Sequence, residues 1–242
     1  LCVVYFRQIQ LPEYQLLKSF RLDLEILKKL VHFGFASGLR ITLLIFAIDL
    51  MILAFQSYGV EVSTAITIVF TWIHTLFIPV LGLEIGTMSL TGRFIGARDP
   101  NNASDSVFSG LSLASVYALI ISSVCLFATS EMVGMFLETD SAAEINDLAL
   151  WGTQLYAFMV FIMAWSAILG GALRGAGDTY GTMTISAVFW WLQYAIVVIL
   201  IRLFELSPGV VLGIHIFSSP LLLFAMIGRF RSGAWRKFEL IG

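Results

Sequence analysis

Five stretches of the chain, residues 62–83, 106–129, 148–173, 179–201 and 206–228, contain no Asp, Glu, Lys or Arg. A sixth, residues 33–56, carries only Arg40 and Asp49. Each reaches or exceeds the ~20 residues that a helix needs to cross a ~30 Å hydrocarbon core. Backbone polar groups in lipid must be satisfied within their own segment, so such runs fold as helices. The pattern predicts an all-α, polytopic membrane protein. Its six transmembrane helices fall at about 33–56, 62–91, 106–129, 146–173, 179–204 and 206–228. The apolar opening LCVVYF, running into Arg7, predicts the tail of an earlier span. Residues 14–33 place apolar side chains at 16, 17, 20, 24, 27, 30 and 31, with Lys18, Arg21, Asp23, Glu25, Lys28 and Lys29 between them. That spacing predicts an amphipathic connector helix lying in the membrane interface. The chain thus divides into residues 1–32 (preceding span and linker), 33–228 (a six-helix lobe) and 229–242 (a basic tail).

Composition agrees: 59% of residues are hydrophobic and 12% charged, at a mean hydropathy of +0.91. A soluble domain carries about 25% charged residues. Charge adds an orientation. If the spans alternate, twelve of the fourteen Lys and Arg lie on one side: Arg7, Lys18, Arg21, Lys28, Lys29, Arg93, Arg98, Arg174, Arg229, Arg231, Arg236 and Lys237. Arg202 falls on the other side and Arg40 within the first span. Basic loops mark the cytoplasm, so both ends are expected there, in the plasma (inner) membrane. Cys2 and Cys125 form no disulfide framework.

The polar residues inside the spans carry the candidate chemistry. Thr42, Asp49 and Gln56 are spaced by seven and share one face of the first span. An intramembrane carboxylate faces protein or water, because lipid does not solvate it. Asp49 is a protonatable coupling site, a counter-charge for a cationic substrate, or a buried acid kept protonated. His74 shares a face of the second span with Thr64, Thr67 and Thr71 and is within reach of Asp49 across the first hairpin, or is a packing residue. Glu84, nearer the basic end, is a gate or coupling acid, or a carboxylate reaching Arg93. In the fifth span Gln193, Thr182 and Ser186 share a face beside the FWWLQY aromatics, which hold organic cations or face lipid. Small residues at four-residue steps, Ser106, Gly110, Ala114, Ala118 and Ser122, then Ala167, Gly171 and Gly175, predict close helix packing. No H-E-x-x-H, G-x-S-x-G, paired-cysteine or Walker pattern occurs, which argues against a protease, a metalloenzyme and an ATP-driven pump. No enzyme activity, metal or cofactor is expected.

Three segments resemble the MATE (multidrug and toxic compound extrusion) family. ALRGAGDTYGTM is similar to its LRGxGDTxxPM loop, IPVLGLEIGTMSLTGRFIGARDPNNA to its PxGxxxAxSxLVGxxLGAGDxxxA stretch, and MFLETDSAAEINDLALWGTQLYAF to its FtxDxeV link. The resemblance implies a twelve-helix antiporter of two six-helix lobes, of which this chain is the second. It implies export of organic cations, drugs or toxic amphiphiles by alternating access, driven by H⁺ or Na⁺. The partners implied are a small-molecule substrate, membrane lipid and the missing N-terminal lobe, without nucleic acid. Gly92, Gly96, Arg98, Arg174, Gly175, Gly177 and Asp178 fall in loop motifs that hold or gate the helix connections. Gly175 and Gly177 are expected to permit the turn and Asp178 to cap the next helix. Where Na⁺-using members place acids, this chain has Leu44 and Met163, with Ala36 for the nearby Pro, so that cation site is expected to be absent. Two alternatives stand beside the exporter: a flippase for lipid-linked or polysaccharide intermediates, and a non-transporting scaffold.

Overall fold

The computed structural model describes residues 24–136, 143–233 and 235. Among them the chain is helical, and six segments are long and apolar enough to span a membrane. Helix α1 (Leu24–Phe55) runs into a 3₁₀ turn, Gln56–Tyr58, and reverses at Gly59, whose φ of 106° needs a residue without a side chain. Helix α2 (Val60–Gly96) and helix α3 (Pro100–Phe127) follow. The short helix α4 (Thr129–Gly134) leads towards α5 (Ala143–Gly175), then α6 (Thr179–Arg202). The last span is two helices, α7 (Pro208–Phe217) and α8 (Pro220–Arg231).

Helix α5 is the axle. Its apolar window is 61% buried, against 17–33% for the other five spans. It packs most extensively on α2, and also on α3, α7 and α8, while α1 leans mainly on α6. The α2–α5 seam is built from missing side chains. A Cβ on Gly92 would sit 3.0 Å from the Gly175 carbonyl oxygen, and one on Gly171 would sit 2.7 Å from that of Glu84. One on Gly175 would collide with the Met88 carbonyl. Gly175 therefore serves packing rather than the turn expected of it. Gly177, at φ 96°, makes the turn. The predicted stripe on α3 also packs inward: Gly110, Ala114 and Ala118 are buried, and the Ser122 hydroxyl donates to Ala157 O at 2.5 Å.

Three features depart from the sequence reading. From Leu24 onward the connector has no boundary with the first span, since α1 is one continuous helix; residues 14–23 lie outside the described residues. The sixth span breaks at Ser218–Pro220, where Pro220 brings no N–H and Leu221 donates to Ser218 O instead of the Phe217 carbonyl. Within the basic tail, Trp235 is buried: it stacks on Phe230 at 5.0 Å and joins the core of Val80, Val107, Leu173 and Met226. Its indole N–H donates to Phe230 O at 2.9 Å.

At the α2–α3 corner Asp99 caps α3. Its carboxylate accepts the Asn102 backbone N–H at 3.1 Å and the Asn102 side-chain amide at 2.5 Å, and the backbone bond foremost holds its pKa below the ordinary value. Arg98 beside it takes φ 58°, a left-handed conformation unfavourable to a side chain. The family pattern quoted above has glycine there.

Candidate transport site

The polar residues of the spans separate into three places. The first is an outward face. Thr42 and Asp49 on α1 and Gln56 in the turn that follows it are all exposed, as are Thr67, Thr71, His74 and Thr75 on α2. The hydroxyls of Thr64, Thr67, Thr71 and Thr75 each donate to the carbonyl four residues earlier, at 2.7–2.9 Å. Their donors are used within the helix, so the face offers mainly acceptors outward: hydroxyl lone pairs, the Gln56 amide oxygen and the Asp49 carboxylate. Asp49 and His74 interact electrostatically through space, and no ion pair joins them.

The second place is buried, at the basic end of the bundle. Glu84 on α2 accepts a hydrogen bond from the Arg174 guanidinium on α5 and lies 3.8 Å from Arg40 on α1. Its partner is thus Arg174, ninety positions away in sequence, and not the Arg93 of one of the two readings given above. The close approach at Gly171 and Gly175 is what brings the end of α5 against this part of α2. Asp178 sits nearby as the residue before α6, but its side chain makes no cap bond. It accepts two bonds from Arg229 of α8, from Nε at 2.7 Å and Nη2 at 3.0 Å. The bidentate pair outcompetes a backbone N–H because both groups are charged. A side chain on Gly181 would collide with that carboxylate, so glycine there leaves room for the Arg229 pair.

The third place is the break in the sixth span. Gln193, expected beside a cation-holding aromatic wall, is buried within the lobe together with Thr182 and Ser186. Its side-chain amide donates to Ser218, and the Ser218 hydroxyl donates to His215 O at 2.5 Å. Gln193 thereby supplies bonding where the helix is interrupted, as backbone irregularity at membrane depth requires. The Phe70 ring stands between the exposed His74 and the buried His215, 6.3 and 6.1 Å from them. A Cβ on Gly96 would meet nothing within 4 Å, and the described lobe gives no reason for a glycine there.

Sequence reasoning missed Arg229, Ser218 and Trp235. Pro220 in an otherwise apolar run was the available signal for the break. Nothing local marks Trp235 as core.

A family model described as MatE matches residues 39–199, well over half of the chain. The chain belongs to the MATE family. Relatives within it include the probable multidrug resistance protein NorM of Thermotoga maritima, 23% identical over 66% of this chain and 34% of that protein. The NorM of Acinetobacter baylyi is 24% identical over 80% of this chain and 43% of its own length. Among solved structures, a MATE in complex with MaL6 superposes at a TM-score of 0.82 and 17% identity, covering 92% of this chain and 50% of that one. The chain therefore spans less than half the length of these curated relatives. Within the MATE architecture it accounts for about one six-helix lobe.

Proposed function

We propose that the full-length protein is a secondary active antiporter that exports organic cations, drugs or other toxic amphiphiles by alternating access, coupled to inward H⁺ or Na⁺. This chain supplies one lobe, and a second six-helix lobe completes the transporter. Both ends of this lobe lie in the cytoplasm. The observation that carries the reading is the exposed face of α1 and α2. Asp49 and a row of acceptors stand on membrane-spanning helices with no Lys or Arg exposed beside them between Thr42 and Ile78. Lipid does not tolerate such a face, whereas a water-filled cavity between lobes does. Its charge suits a cation or a neutral amphiphile better than the pyrophosphate head group of a flippase substrate.

The test is ethidium efflux by the full-length protein in cells or vesicles. Asp49→Asn is expected to abolish extrusion and His74→Ala to reduce it. Normal extrusion by Asp49→Asn removes that carboxylate from the mechanism. No movement of any organic cation by the native protein turns the reading to a flippase or a scaffold.

A further inference from the structure

The buried charges at the basic end do not balance. Glu84 faces two guanidiniums, and among the described residues the only hydrogen bond from either comes from Arg174. Asp178, the other buried acid among the described residues, is fully engaged by Arg229. Among the described residues, two cations and one carboxylate leave one net positive charge in this cluster.

That surplus belongs to Arg40. Its closest nitrogen lies 3.8 Å from Glu84 Oε1, attracted but beyond hydrogen-bond reach. Its Nε is buried without a partner, and no described residue accepts a hydrogen bond from it. Arg40 and Arg174 also lie within electrostatic range of each other. The Arg40 side chain keeps 18% exposure, against 7% for Arg174 and 8% for Glu84, so it is the member of the cluster that a ligand can reach. Depth narrows the ligand further. Arg40 lies three residues inside Ser37, where the first apolar window begins, so about 5 Å into the span at 1.5 Å per residue. From that depth a side chain as long as arginine's can snorkel to the level of lipid phosphates. A planar guanidinium offers five N–H donors in a fork that matches two oxygens of one oxyanion.

We propose that Arg40, seated over the Glu84–Arg174 pair, is a binding site for one phosphate-type oxyanion, carried by an anionic phospholipid headgroup or present as inorganic phosphate. A phosphodiester bound there brings the cluster to neutrality and accepts from the accessible Nη donors of Arg40. The inference concerns the lobe itself and does not depend on what the transporter exports.

The experiment uses the purified full-length protein. Calorimetry follows inorganic phosphate in detergent at constant ionic strength. Native mass spectrometry follows lipid retained from vesicles of phosphatidylcholine with or without phosphatidylglycerol. Phosphate binding identifies the free anion, and selective retention of phosphatidylglycerol identifies the headgroup. In either arm Arg40→Gln is expected to weaken binding about tenfold or more, the equivalent of one charge-assisted bond. Arg40→Lys should retain part of it, and the exposed Arg93→Gln all of it. Arg40→Gln should also fold at least as stably as the native protein without added anion, because it removes an uncompensated charge. Equal binding by native and Arg40→Gln proteins, or no binding in both arms, overturns the proposal.

Discussion

Two carboxylates define two kinds of intramembrane polarity in this lobe. Glu84 is buried against Arg174 and Arg40 at the basic end, whereas Asp49 stands exposed on the outward face with no ion pair among the described residues. One acid is enclosed by its own lobe and ties three helices together. The other is presented to whatever lies beyond the lobe. Sequence position does not separate them, since both interrupt apolar helices. Their surroundings do: a carboxylate clasped by arginines has its oxygens occupied within the lobe, while an unclasped one is open to a cation from outside it.

Substitutions should divide along the same line. The largest loss of stability is expected from Glu84→Gln, which leaves two guanidiniums without a full counter-charge. About 3–5 kcal/mol is the range for removing one partner of a buried pair. Urea unfolding of the full-length protein in detergent measures it, and a cost below about 1 kcal/mol would mean that water already solvates the cluster. Gly175→Ala forces a methyl group into the Met88 carbonyl and is expected to cost about 1–3 kcal/mol by the same measurement. Asp178→Ala removes a two-bond pair whose Arg229 side is 37% exposed, so solvent screening lowers the expected cost to about 1–2 kcal/mol. Arg98→Gly relieves the left-handed strain and should stabilise by about 1 kcal/mol, a gain visible as a higher midpoint. Asp49→Asn is expected to change stability by less than about 0.5 kcal/mol, as for substitutions away from packed contacts. Its effect belongs to transport. If Asp49→Asn unfolded the lobe as Glu84→Gln does, the contrast between the two acids would collapse.

Much of this architecture was legible in the chain. Charge-free runs mark the spans because hydrocarbon imposes length and apolarity on every helix that crosses it. The shared outward face of Thr42, Asp49 and Gln56 followed from a spacing of seven. The partner of Glu84 did not, because it depends on which helices become neighbours. That is decided by glycines at positions 92, 171 and 175, whose role shows only when both backbones are in place. Asp178 misled for a related reason. Its local pattern is that of a helix cap, and the competing partner Arg229 lies fifty-one residues away. Trp235 was hidden by its company, a tryptophan among basic residues whose core also takes in Val80, Val107 and Leu173, far away in sequence.

The bare seam between α2 and α5 has a mechanical meaning. Where side chains interdigitate, small displacements are absorbed by rotamer changes, and motion at one end fades before it reaches the other. At Gly92, Gly171 and Gly175 the backbones touch, and no rotamers are available to yield. A push on the acidic end of α5 is therefore delivered almost undiminished to the basic end of α2. The pair behaves as a single stiff lever.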